Sequence, residues 1–483
     1  MYNVSLMFLL KSLAGRKITY FDLTTYFLDR IKKFDFLLNS FITVDYCFSL
    51  QMAKYLDYLV SKKCNTSFLF GVPFAQKDNF CTKGLKTTCG SQLLESFIPS
   101  YDSTISIKLK RNNFILVGKT NMDEFSMGSS GENSFFGPTR NPWDLSKIPG
   151  GSSSGSAASV AARLIPFSIG SDTGGSVRQP AAYCGIVGFK PTYGLLSRYG
   201  LISFSSSLDQ VGILCTSVED CFFVLTNLID YQLNDLTKCC RDIFFKNVIT
   251  GLLDDNIINI GVLRESYSEG VTSDVIKAFD LAVNIFKKLG FKVRVVSIPS
   301  FSLSLSAYYV FSSIESSSNL LRYDGIRYGF YQKFKANKFD FRDKFLGLEV
   351  KRRILLGTYL LTYLNDIDFY SNAKLIQNKL INECLEIFKK VDLILSPTTA
   401  SCAFQLGEKF TNPLAMYLTD IFTSFVNLVG LPAISIPNGF SKCGLPLGIQ
   451  LIGNYYREDI LLKVAYKYQE QTKWHTCIPP MFI

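Results

Sequence analysis

The run Ser153–Arg163, Ser-Ser-Gly-Ser-Ala-Ala-Ser-Val-Ala-Ala-Arg, is the strongest constraint on how this chain folds. It predicts a helix with side chains too small to hold its neighbours at the usual distance, so the helix must lie unusually close to a sheet. A flexible Gly/Ser linker would not continue into Ala-Ala-Ser-Val-Ala-Ala. Around it, the short apolar runs Phe68–Ala75, Phe114–Val117 and Leu164–Ile169 are bounded by Gly and polar turns and read as buried strands of a largely parallel or mixed sheet. Ile258–Leu263, Ser273–Leu289 and Phe291–Val296 predict a strand–helix–strand unit, and Val391–Leu395, Ala433–Ile436 and Leu447–Ile452 predict further core strands. Residues 5–60 read as helices, with Thr19 capping Tyr20–Phe34, where Phe21, Leu23, Phe27, Leu28 and Ile31 approximate helical spacing.

With 483 residues and no internal repeat, the expectation is one large α/β domain over 1–483. It divides into an N-terminal helical layer (1–65), a Gly-rich core (66–230), an irregular polar excursion (231–257) and the remainder of the α/β core (258–483).

Composition removes several function classes. The formal charge of +11 comes from scattered Lys and Arg whose main cluster is Lys351-Arg352-Arg353, which reads as a solvated surface and not as a nucleic-acid groove. Thirteen cysteines without a Cys-x-x-Cys pair predict neither a disulfide framework nor a zinc site, and no metal is expected. Met1–Leu10 is apolar, but its basic residues follow it, so no signal peptide is expected. No apolar run is long enough to span a bilayer, and a soluble, cytoplasmic protein is expected. Abundant Phe, Tyr, Lys and Asn beside scarce His and Trp suggest coding bias, which favours a reduced bacterial genome over an organelle.

Two serines, Ser152 and Ser176, each follow a Gly-Gly pair, where missing Cβ atoms let a ligand and a second backbone approach. A hydroxyl needs a base to become a nucleophile. The chain holds one histidine, His475, in a remote C-terminal stretch, which argues against a Ser-His-Asp triad. That leaves a lysine as the base, and Lys77, in Gly71-Val72-Pro73-Phe74-Ala75-Gln76-Lys77-Asp78-Asn79, is well placed. Burial away from a carboxylate would let it accept a proton near neutral pH. Ser152 fills the gap between Lys77 and the nucleophile Ser176 as a relay. On the same loop the amides of Thr173, Gly174, Gly175 and Ser176 are the expected oxyanion hole, and Asp172 is expected to organise the loop. Asp78 points to the other face if Lys77 lies on a strand.

Lys77, Pro149-Gly150-Gly151-Ser152-Ser153 and Gly170-Ser171-Asp172-Thr173-Gly174-Gly175-Ser176-Val177-Arg178 together resemble the amidase signature family. That resemblance implies a single α/β domain, a mixed sheet flanked by helices on both faces, with Ser176 acylated, Ser152 following a cis peptide and Lys77 as base. Further stretches, among them Thr120-Asn121-Met122-Asp123-Glu124-Phe125-Ser126-Met127-Gly128-Ser129-Ser130 and Glu349-Val350-Lys351-Arg352-Arg353, are similar to the family's tRNA-dependent amidotransferase branch. Membership there implies a glutaminase that supplies ammonia to a partner B subunit, held with a small C subunit. That partner uses ATP and Mg2+ to convert Glu-tRNA(Gln), or Asp-tRNA(Asn), while this chain binds no cofactor itself. The resemblance places Arg353 at the glutamine carboxylate, Asp420 at its amino group, Tyr309 alongside and the Gly128-Ser129 backbone near the amide. The alternative is a stand-alone amidase acting on small amides. Ser154 stands where the family pattern has glycine, and the segments near 232–257 and between Tyr328 and Glu349 depart in length.

Overall fold

The computed structural model describes residues 5–62, 70–229, 235, 237, 258–328, 338–362, 368–409 and 412–483. Nearly all of the expected excursion, residues 329–337 of the Tyr328–Glu349 segment, and Phe68 and Leu69 of the first expected strand lie outside the described residues.

Three helices open the fold: α1 (Leu6–Ala14), α2 (Tyr20–Leu38) and α3 (Tyr46–Ser61). The Thr19 hydroxyl caps α2 by accepting from the amide of Asp22, and Leu23, Phe27, Leu28 and Ile31 form its buried stripe. Between α2 and α3 lies a strand that the helical reading of 5–60 omitted, β1 (Phe41–Val44). At four residues it is too short to show a period of its own, and its pairing with β3 (Ile115–Thr120) makes it a strand.

The strands β2 (Pro73–Lys77), β4 (Phe167–Asp172), β5 (Val187–Lys190), β6 (Gln210–Cys215), β7 (Asn259–Leu263), β8 (Lys292–Val296), β9 (Leu393–Pro397), β10 (Ala433–Phe440) and β11 (Pro446–Gly453) complete one sheet. Its order is β1-β3-β2-β4-β6-β5-β10-β11-β9-β7-β8. The parallel triplet β3-β2-β4 and the parallel triplet β9-β7-β8 flank an antiparallel centre, so the sheet is mixed, as expected. The strand–helix–strand unit lies as read, with Ser273–Lys288 joining parallel β7 and β8. The sequence reading missed β5 and β6; glycines and polar ends hide their short apolar runs.

Helix α4 (Thr104–Arg111) precedes β3, and the small-residue helix is α5 (Ser154–Ala161), with each of its residues buried. At Gly155 a Cβ would lie 2.2 Å from the carbonyl oxygen of Ser40 and 2.6 Å from the amide of Asn121, so only glycine admits this approach. The Ser156 hydroxyl meets Thr120 Oγ1 at 2.7 Å and donates to the Ile169 carbonyl at 3.3 Å. This packing brings the loop before α5 over the carboxyl ends of β2 and β4. Ser154 is accommodated because Gly131 lies opposite, where a Cβ would come within 2.6 Å of the serine Cβ.

Candidate active site

Lys77 is the last residue of β2 and is fully buried. Its Nζ lies 2.8 Å from Ser152 Oγ, 2.9 Å from Ser171 Oγ and 3.4 Å from the Ser171 carbonyl. Among the described residues it forms no ion pair. Burial drives its pKa down to about 7, against the smaller pull of Asp123, Asp209 and Asp172. Strand alternation sends Asp78 elsewhere: it accepts from Thr88 and pairs with Lys119 at 3.1 Å. A depressed lysine pKa is not by itself a signature, for Lys190 is also held at about 7 by burial while donating to the Pro191 carbonyl. What separates Lys77 is its contact with Ser152.

The Gly151–Ser152 peptide is cis. The next amide, of Ser153, donates to the Ser176 carbonyl at 3.1 Å, which ties the two serine loops together. Ser176 follows β4, just ahead of α6 (Arg178–Cys184). Asp172, at the end of β4, organises this loop as expected. Its carboxylate accepts from the amides of Gly175 and Val177 and takes a two-pronged contact from the Arg178 guanidinium. Burial works to raise this carboxyl, but Arg178 outweighs it and holds the pKa at about 2.

One expectation changes here. The Gly175 amide donates to Asp172 Oδ1 at 2.9 Å and is not free for an oxyanion. The amides of Thr173, Gly174 and Ser176 have no protein acceptor among the described residues. The sequence could not separate Gly175 from its neighbours, because the carboxylate that captures it is three positions away on a strand end. Both glycines are sterically required: a Cβ on Gly174 would lie 2.4 Å from the Tyr308 ring, and one on Gly175 would lie 2.2 Å from Thr423 Oγ1.

The residues expected around a substrate converge beside this loop. Ser129 Oγ donates to Asp420 Oδ2 at 2.5 Å, and the Tyr309 hydroxyl lies 3.4 Å from the same oxygen. Burial raises Asp420 to about 7, opposed by Ser129 and Arg353. Arg353, also buried, has its guanidinium 4.5 Å from the Tyr309 ring centre and 4.9 Å from that of Tyr417. Gly128, Ser129, Glu349, Arg353 and Tyr417 line a common cleft.

Sequence reasoning missed several participants. Ser171 joins Lys77 to the side chain of Asn79, which donates to Ser171 Oγ at 2.9 Å. Glu349 fixes Arg353 through Nε at 2.8 Å. Gln179 reaches Gly151, Ser129 and Asp420. Glu349 alone carried a local signal, four residues before Arg353 in a helical segment.

His475 is remote from this site. Arg163, which precedes β4, and Thr216, which follows β6, line with it a cavity of about 590 Å³ at the opposite end of the sheet from Ser176. Burial and Arg163 push the imidazole down to about 4.

The family model described as Amidase matches residues 22–462. The chain belongs to the amidase family. Two amidase relatives each carry the name of the A subunit of Glutamyl-tRNA(Gln) amidotransferase. That of Dechloromonas aromatica is 47% identical over 481 residues, 98% of each chain, and that of Coxiella burnetii is 44% identical over the whole of both. The crystal structure of the Glutamyl-tRNA(Gln) amidotransferase A subunit from Thermotoga maritima superimposes with a TM-score of 0.80 at 35% identity, covering 99% of this chain and 98% of that one. The amidase fold expected from the motifs, one α/β domain on a mixed sheet, is therefore the fold of the chain.

Proposed function

We propose that this chain is the glutamine-hydrolysing A subunit of a tRNA-dependent amidotransferase, with Ser176 as nucleophile, Ser152 as relay and Lys77 as base. The observation that carries the chemistry is the buried Lys77 amine, without an ion partner among the described residues and 2.8 Å from Ser152 Oγ. A neutral amine has two hydrogens and one lone pair. Ser171 Oγ and the Ser171 carbonyl accept the hydrogens, which leaves the lone pair for the Ser152 hydroxyl.

Ser152 gives its proton to Lys77 and takes one from Ser176, whose Oγ bonds to the side-chain carboxamide carbon of glutamine. The oxygen of the tetrahedral adduct gains negative charge opposite the amides of Thr173, Gly174 and Ser176. Collapse breaks the carbon–nitrogen bond, and the proton held on Lys77 returns through Ser152 to the departing ammonia. Water then cleaves the ester by the same route, releasing glutamate. Arg353 takes the substrate carboxylate, while Asp420 with Tyr309 and Ser129 takes the ammonium group. Full-length relatives named for Glu-tRNA(Gln) support the wider role, in which ammonia passes to the B subunit, held together with the C subunit. There ATP and Mg2+ activate the misacylated tRNA, in the cytoplasm. No described helix is long and apolar enough to cross a membrane.

The test reconstitutes the chain with the B and C subunits and follows ammonia released from glutamine. Stimulation by Glu-tRNA(Gln) with ATP, and its loss in Ser176→Ala, are the expected results. Hydrolysis indifferent to tRNA and ATP would overturn this reading in favour of a stand-alone amidase.

A further inference from the structure

We propose that Gln179 is a positioning residue that couples recognition of the substrate α-amino group to the serine pair, and so sets preference for glutamine over amides lacking that group. The inference rests on the glutamine reading above.

Gln179 lies on α6, three residues after Ser176, and is fully buried. Its Oε1 accepts from the amide of Gly151, the residue before Ser152, at 2.9 Å. Its Nε2 donates to the Ser129 carbonyl at 2.9 Å, with Thr419 Oγ1 and Asp420 Oδ1 each at 3.4 Å. One planar amide thus touches the loop carrying the relay serine, the loop carrying Ser129 and the turn carrying Asp420. Ser129 Oγ holds the other Asp420 oxygen, so each carboxylate oxygen has its own donor and the group is oriented as well as placed.

The chemistry admits few other side chains. The position needs an acceptor for Gly151 and a donor for Ser129 and Asp420 on one neutral, buried group. Asparagine is one methylene short, glutamate brings a second carboxyl against Asp420, and methionine or leucine offers neither bond. The surroundings are shaped to this amide: a Cβ on Gly150 would lie 2.7 Å from Gln179 Oε1 and 2.9 Å from Pro180 Cα. Any movement of Asp420 toward a bound ammonium therefore pulls on the amide that holds Gly151.

The experiment compares ammonia release from L-glutamine and from 4-carbamoylbutanoate, which is glutamine without its α-amino group, using the assembled complex. Wild type prefers glutamine. In Gln179→Met the ratio of the two kcat/KM values falls at least tenfold, because Asp420 Oδ1 has lost its donor and the contacts to Oδ2 alone do not fix the carboxylate's orientation. In the same variant kcat for the desamino amide also falls, because the Gly151 amide has lost its acceptor. Gln179→Leu replaces the methionine variant if that one does not fold. An unchanged ratio in a wild type that does discriminate overturns the role of Gln179 alone, as does a desamino kcat equal to wild type in Gln179→Met. A wild type that treats both amides alike overturns the glutamine reading itself.

Discussion

Replacing Lys77 with methionine, similar in length and uncharged, should abolish turnover and stabilise the protein in a pH-dependent way. The buried amine has its pKa depressed from 10.5 to about 7, while in the unfolded chain it returns to its ordinary value. Each unit of depression is worth about 1.4 kcal/mol, so when both states are protonated the native state bears a cost of roughly 5 kcal/mol. The sign follows from proton uptake. Between the folded and unfolded pKa values the unfolded chain binds more protons, so wild-type stability rises with pH through that window. The cost is nearly complete at about pH 6 and has fallen to between about 1 and 2 kcal/mol by about pH 9.5. Lys77→Met also loses hydrogen bonds to Ser152 and Ser171, worth about 1 kcal/mol each, and this loss changes little with pH. The decisive quantity is therefore the difference of differences, about 3 kcal/mol in favour of wild type on going from the lower to the higher pH. Unfolding entropy of about 2 cal/mol/K per residue makes each kcal/mol worth roughly 1 °C in a chain of this length. Calorimetric Tm values for the two proteins should therefore differ by about 3 °C less at the higher pH than at the lower. A gap that stays constant with pH would mean that Lys77 keeps its proton in the native state, and the proposed base would be lost.

Activity should follow the same titration: kcat/KM for glutamine rises through pH 7, because Lys77 must lose its proton and Asp420 must lose its own, and both stand at about 7. The acid limb of a pH–rate profile should approach a slope of two, and a midpoint two units higher would contradict both assignments. Asp172→Asn leaves Arg178 buried without its carboxylate and sets an NH2 group against donors that the second carboxylate oxygen accepted, so thermal unfolding should show a loss of about 3–5 kcal/mol together with loss of turnover. Ser154→Gly removes a hydroxyl contact of 3.2 Å to Thr139 Oγ1 and places glycine in the first turn of α5, costing about 1–2 kcal/mol in thermal unfolding. Glutamine turnover measured in the same variant should be unchanged.

Most of the local structure was legible in the chain. Thr19 marked the start of α2, the small residues of 153–163 marked a helix tight against the sheet, and the unit from β7 to β8 stood where its periodicity put it. Strands β1, β5 and β6 were not, because the four residues of β1 show no period of their own and glycines and polar ends cut short the apolar runs of β5 and β6. The proposed site divides in the same way. Lys77, Ser152 and Ser176 were visible through glycine pairs and the scarcity of histidine, whereas Ser171 and Gln179 look ordinary until partners distant in sequence close around them.

By itself the sequence determined the inventory: two serines on glycine turns, a strand lysine and a single remote histidine, which together narrow the chemistry to an amine-activated hydroxyl. Only the tertiary structure decided how that inventory is used. The lysine pKa depends on burial beneath loops that come from residues 75 and more positions away, the Gly175 amide is taken by Asp172, and Gln179 joins three segments. Desolvation and hydrogen-bond partnership are properties of the space around a group, and sequence order carries that space only after the chain has packed.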